Sequence, residues 1–139
     1  MADGARDQLA TLKEEHRSIS RQLKLLRTIT SGPSSTERLR ELVNILESQL
    51  RTHFNHEERG LYKSLSKRLG RHSPIGQMRL EHTSIRRTFE AFRRSSIEYG
   101  AGQSRSGELK RCFEALQEQV VGHVEKEEKV LFWLADVKL

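Results

Sequence analysis

The chain contains His53-Phe54-Asn55-His56-Glu57 and, later, His123-Val124-Glu125-Lys126-Glu127, the same His-x-x-x-Glu spacing twice. On an α-helix of about 3.6 residues per turn, the His and the Glu four positions on face the same way, about 6 Å apart along the axis. An imidazole nitrogen beside a carboxylate oxygen is a pair of metal ligands. Two such pairs, with one further His on each of two other helices, would build a two-metal site inside a bundle. His16 and His82 are placed to be those two.

The elements that must position these residues follow from the apolar periodicity. A first helix is predicted from about Gly4 to Ile29, with Leu9, Leu12, Ile19, Leu23 and Leu26 on one stripe and His16 filling its missing step. Gly32 and Pro33 end it. A second helix starts near Ser34, where Ser34 and Glu37 have the form of a capping box. Its stripe reads Leu39, Leu42 or Val43, Leu46, Leu50, His53, Glu57, Leu61 and Leu65, and runs past Gly60 to about Leu69. The third begins near Ser73, with Pro74 at its first position, and places His82 among Met78, Ile85, Phe89 and Phe92. Tyr99 to Gly107, rich in glycine and polar residues, reads as a loop. The fourth covers about Glu108 to Leu134, with Leu109, Phe113, Leu116, Val120, His123, Glu127, Leu131 and Leu134 on its stripe. Four helices of similar length with short connections predict an all-α, up-down-up-down four-helix bundle.

An internal repeat runs through the chain. Leu12-Lys-Glu-Glu-His16-Arg-Ser-Ile19 is similar to Met78-Arg-Leu-Glu-His82-Thr-Ser-Ile85, and His53 to Tyr62 is similar to His123 to Phe132. The first two helices thus look like a relative of the last two.

Six ionisable residues interrupt the apolar stripes: His16, His53, Glu57, His82, His123 and Glu127. One His on an apolar stripe is ordinarily a hydrogen-bonded core residue. The same exception once per helix, doubled by Glu in two of them, is another matter. Burying a carboxylate without a partner costs several kcal/mol. A pair of metal ions between two carboxylates and four neutral imidazoles removes that cost. His56 falls off the stripe and His72 falls in a loop, so both read as surface residues. Glu58 and Glu128 read as solvent-facing, with Glu58 an alternative oxygen donor.

The composition bounds the rest. At 139 residues the chain is read as one domain, 1–139, long enough to bury a core. No apolar run approaches the ~20 residues that span a membrane, and no signal peptide is visible at the N-terminus. The single cysteine, Cys112, excludes an internal disulfide and reads as a small, buried residue. A soluble, cytoplasmic protein without membrane partners is expected. The net charge of +6 comes mostly from arginine, as in Arg86-Arg87 and Arg93-Arg94. These read as a solvated helix surface. No nucleic-acid motif accompanies them, and nucleic acid is not an expected partner.

The order His, His-x-x-x-Glu, His, His-x-x-x-Glu resembles the hemerythrin-like (HHE cation-binding) family over nearly the whole chain. The resemblance implies a bundle holding a non-haem di-iron centre. In it His16 and His53 would ligate one iron, His82 and His123 the other, and Glu57 and Glu127 would bridge them. Oxygen-carrying hemerythrins have a further His four positions after the third-helix ligand, where this chain has Arg86, and they end in His-x-x-x-x-Asp. The pattern is closer to the four-His, two-Glu branch, which is similar to bacterial iron–sulfur repair proteins and to certain iron-sensing domains.

Carboxylate bridges and imidazoles suit iron best among abundant metals, with manganese and zinc as rivals. Two His and two shared carboxylates leave each ion short of six ligands. Water, hydroxide or oxide, or an exogenous O₂, NO or peroxide would complete the set, and Tyr62 is a protein group able to fill one position. The expectation is a two-iron, oxo- or hydroxo-bridged protein that binds or reacts with O₂, NO or peroxide in sensing or stress defence. The competing readings are an iron-delivery or iron–sulfur repair protein and a metal-switched regulatory module. No general acid–base residue beyond the ligands stands out, so enzymatic activity is not assigned.

Overall fold

The computed structural model describes residues 3–32, 35–70, 73–102 and 106–139. Helix α1 spans Asp3–Thr30. Helix α2 (Thr36–His56) passes through a π turn, Glu57–Leu61, into α3 (Tyr62–Leu69). Helix α4 spans Ile75–Gly100. Helix α5 (Ser106–Lys126) passes through a second π turn, Glu127–Leu131, into α6 (Phe132–Lys138). There is no strand among the described residues. The result is four continuous rods. α1 packs on α2 and α5, and α4 packs on the same two, so rods adjacent in sequence are adjacent in space. That is the all-α up-down-up-down ring the periodicity predicts.

Boundaries differ from the sequence expectation by a few residues. Ser34 lies outside the described residues, and the N-cap of α2 is Ser35, whose Oγ accepts from the Arg38 N–H at 3.3 Å. Pro74 is the residue before α4 rather than its first, and the Ser73 hydroxyl accepts from the Ile75 N–H at 3.4 Å. Tyr99 and Gly100 remain helical, because Tyr99 packs against the core and holds the last turn. The fourth rod likewise starts early, at Ser106. Gly70 and Gly102 adopt positive φ of 71° and 75° where their rods end, a conformation that costs glycine little.

The π turns were not anticipated. Their cause is in the spacing of the stripe. His53, Glu57, Leu61 and Leu65 are three successive steps of four. On a regular α-helix of about 3.6 residues per turn these would drift by about 120° around the axis. One extra residue in a π turn takes back about 100° of that drift. The same insertion in the fourth rod moves its stripe from Leu134 to Ala135, which is fully buried while Leu134 is only half-buried. Both π turns begin at the Glu of the His-x-x-x-Glu pair.

Two apolar layers fill the bundle. One contains Ile19, Leu23, Leu46, Leu50, Phe54, Ile85, Phe89, Phe113 and Val120. The other contains Leu9, Leu12, Leu61, Tyr62, Leu65, Met78, Leu131, Phe132 and Ala135. On every rod the predicted ligands fall between these layers, so the bundle has one polar stratum enclosed above and below by hydrocarbon.

Candidate metal centre

The structure brings all six predicted side chains into that stratum, all buried, with Glu57 and Glu127 completely so. His16, His53, Glu57 and Glu127 form one group whose donor atoms lie within 4.8 Å of one another. Glu57, His82, His123 and Glu127 form a second, and the two carboxylates belong to both. Each His directs Nε2 inward. His16 Nε2 lies 2.8 Å from Glu127 Oε1, and His53 Nε2 lies 3.3 Å from Glu57 Oε1. His82 Nε2 lies 3.0 Å from Glu57 Oε1, and His123 Nε2 lies 3.2 Å from Glu127 Oε2.

The outward nitrogen of every His meets a carboxylate. The Nδ1 contacts are His16 with Glu128 at 3.1 Å, His53 with Glu15 at 2.8 Å, His82 with Glu58 at 2.6 Å and His123 with Glu81 at 2.7 Å. Such bonds put the proton on Nδ1, leave Nε2 free to donate its lone pair and fix the ring. Glu58 and Glu128 therefore do not simply face solvent. Each sits one residue after a cavity carboxylate and reaches across to the His of another rod. Glu15 and Glu81 escaped the sequence reading, although the repeat carries a signal for them: a Glu stands directly before His16 and His82. His56 is half-exposed as expected, but its Nδ1 pairs with Glu15 Oε2 at 2.6 Å. His72 lies outside the described residues. Cys112 is only partly buried against the core.

Tyr62 is the seventh polar group of the cavity. Its hydroxyl donates to Glu127 Oε2 at 2.5 Å and lies 3.0 Å from His82 Nε2 and 3.4 Å from Glu57 Oε1. The repeat places Phe132 at the matching point, and its ring stacks on His16 at 5.4 Å between centroids. At this position the two halves differ by one hydroxyl. Arg86, standing where a further His would be, stays outside. It pairs with Glu58 at 3.0 Å and lies 5.3 Å above the Phe54 ring, which stacks on His82 at 3.8 Å.

The electrostatics show what this set lacks on its own. Burial pushes the Glu57 carboxyl up, and the neighbouring Glu127 carboxylate adds to it. Burial alone would raise Glu127 too, but Glu57, His123 and His16 beside it hold it well below the usual range. Burial lowers His82 to about 4. For His53 the effect of burial is outweighed by Glu127, Glu15 and Glu57, and it rises to about 11. Burial and the two carboxylates push the Tyr62 phenol far up, so it remains a donor. Even so, His53 Nε2 and Glu57 Oε2 have no hydrogen-bond partner though both are buried. Orphaned buried donors and acceptors are rare in folded proteins. Two inward-facing ligand atoms without partners, among four imidazoles and two shared carboxylates, fit a pair of divalent or trivalent cations.

A family model described as the hemerythrin HHE cation-binding domain matches residues 7–135, a span that includes all six side chains. No curated protein and no solved structure matches the chain. Among the described residues, no helix is long and apolar enough to cross a membrane.

Proposed function

The chain belongs to the hemerythrin HHE cation-binding domain family, and on that premise we propose that it is a single-domain, cytoplasmic, non-haem di-iron protein that binds or reacts with O₂, NO or peroxide in sensing or stress defence. His16 and His53 hold one ion and His82 and His123 the other, with Glu57 and Glu127 shared between them. The observation that carries this reading is the pair of overlapping donor groups in one buried stratum. A bound iron pair supplies open coordination positions and electrons for a small oxidising ligand.

The chain's own residues do the rest. Phe54 and Phe132, stacked on His82 and His16, and the buried Leu12, Leu61 and Leu131 keep bulk water from the stratum. Glu15, Glu58, Glu81 and Glu128 accept from Nδ1 of the four imidazoles and so turn each Nε2, the nitrogen that would hold the metal, toward the site. Tyr62 keeps a proton at its phenolic oxygen, beside His82 and both carboxylates. It is the nearest protein donor for an anionic ligand, or a further oxygen donor to the ion at His82 and His123.

The test is metal analysis of the purified protein, followed by absorption spectra of the anaerobically reduced protein before and after O₂, NO and peroxide. Two irons per chain and a near-ultraviolet band that responds to at least one of the three are expected. A protein without stoichiometric metal, or one whose spectrum ignores all three, contradicts the proposal.

A further inference from the structure

The sequence repeat makes the two halves of the cavity look equivalent, and the structure makes them different in two independent ways. We propose that the two metal positions fill in order, the His16–His53 position first and tightly, the His82–His123 position second and exchangeably. This rests on the assignment of the six ligands above.

The first difference is hydrogen bonding. Of the partnerless buried atoms, His53 Nε2 belongs to the His16–His53 group, and Glu57 Oε2, though part of a shared carboxylate, lies on that side, 3.9 Å from His16 Nε2. A metal ion arriving there, displacing the His53 proton, satisfies ligand atoms that no other group satisfies. On the other side both inward imidazole nitrogens already have partners, whereas on the first only His16 Nε2 does, 2.8 Å from Glu127 Oε1. His82 Nε2 lies 3.1 Å from His123 Nε2 and 3.0 Å from the Tyr62 hydroxyl, which itself donates to Glu127. A cation must open that network to enter, and each bond lost offsets part of its binding.

The second difference is the charge behind the ligands. Glu58, on His82, is paired with Arg86 at 3.0 Å, and Glu81, on His123, is paired with Lys126 at 2.9 Å. Arg79 lies 5.6 Å over the Tyr62 ring, and both Phe54 and Tyr62 stack on His82. Three cations thus surround the His82–His123 group. The His16–His53 group is backed by Glu15, whose partner is His56, and by Glu128, which has no Lys or Arg within ion-pair distance among the described residues. A dication is repelled by the first environment and attracted by the second. Hydrogen bonding and charge therefore agree on the order. A position with this weaker hold would let the chain respond to the metal supply, or give up one ion while the other keeps the bundle closed.

The experiment uses full-length protein loaded with Co²⁺ and challenged with an excess of a chromogenic chelator. Two release phases of about one ion each are expected, separated by about tenfold or more in rate. His82→Ala should lose the fast phase and retain one slowly released ion, whereas His16→Ala should lose the slow one. Because ligand variants risk misfolding, Arg86→Gln combined with Lys126→Gln provides a separate reading, as both side chains are about half-exposed or more. This pair should slow the fast phase by about three- to tenfold and leave the slow phase unchanged, since it removes only charge near one group. A single release phase, a slow phase that disappears in His82→Ala, or a fast phase insensitive to the paired surface variant each overturns the order. Failure of the wild type to hold cobalt at all would instead overturn the ligand assignment.

Discussion

Replacing Glu57 by Gln should have opposite effects in the metal-loaded and the chelated protein. The substitution keeps the shape and removes the charge. Glu57 is fully buried beside the fully buried Glu127, and both reach the same Tyr62 hydroxyl. Without metal, these are two carboxylates confined together in hydrocarbon, and burial beside Glu127 makes the ionised form of Glu57 costly. Exchanging a buried ion for a neutral residue of similar volume is commonly neutral or stabilising by about 1–4 kcal/mol. The Gln amide can also donate to the ionised Glu127. Glu57→Gln should therefore stabilise the chelated protein by about 1–3 kcal/mol, or about 3–10 °C in Tm for a domain of this size. With metal the sign reverses, because Glu57 belongs to both donor groups. If the neutral amide weakens binding about 100-fold, the stabilisation available from saturating metal falls by about 2.7 kcal/mol. Urea and thermal denaturation with and without chelator, with metal content measured alongside, give both signs. A variant equally destabilised in both conditions would refute the reasoning, because Glu57 would then be a structural hydrogen-bonding group. Unchanged metal content would refute the ligand assignment.

Further outcomes follow from the same geometry. Tyr62→Phe makes the two halves alike at this position; it should retain both metals, shift the absorption spectrum of the loaded protein, and cost about 1–2 kcal/mol in urea denaturation through the lost bond to Glu127. Glu58→Gln or Glu81→Gln should weaken metal binding by about 10–100-fold while leaving the helical circular dichroism unchanged, because these carboxylates orient imidazoles from outside the cavity. Metal retention should fall as the pH drops from 7 to about 4.5, since the metal must displace the protons that neighbouring carboxylates hold on His53 and His123, whereas His82, at about 4, is largely neutral over that range and releases none; equilibrium dialysis measures it. Gly60→Ala should change stability by less than about 1 kcal/mol. Its Cβ would meet the Gln8 amide, a flexible end that can move aside, while alanine favours the helix.

The fold and the six central residues were legible because they are properties of periodicity. An apolar stripe with His16, His53, Glu57, His82, His123 and Glu127 in its gaps can bury only if those residues meet, and helices connected in sequence order leave one way for them to do so. Local sequence also carried the glycine stops and the internal repeat. It could not carry what depends on which rod faces which. Glu58 and Glu128 sit one residue past the stripe, a position that faces solvent on an isolated helix. Only the packed ring turns them onto His82 and His16 across the rod interfaces. The π turns were written in the steps of four, but a backbone accepts that rare geometry only where tertiary contacts reward it, as the burial of Leu61, Tyr62, Leu131 and Phe132 does. The repeat likewise predicted two equivalent halves. The difference between them arises from the Tyr62 hydroxyl and from Arg79, Arg86 and Lys126 gathering on one side. Hydrogen bonds and charges act through distance in space, and the chain's own spacing sets that distance only within a helix.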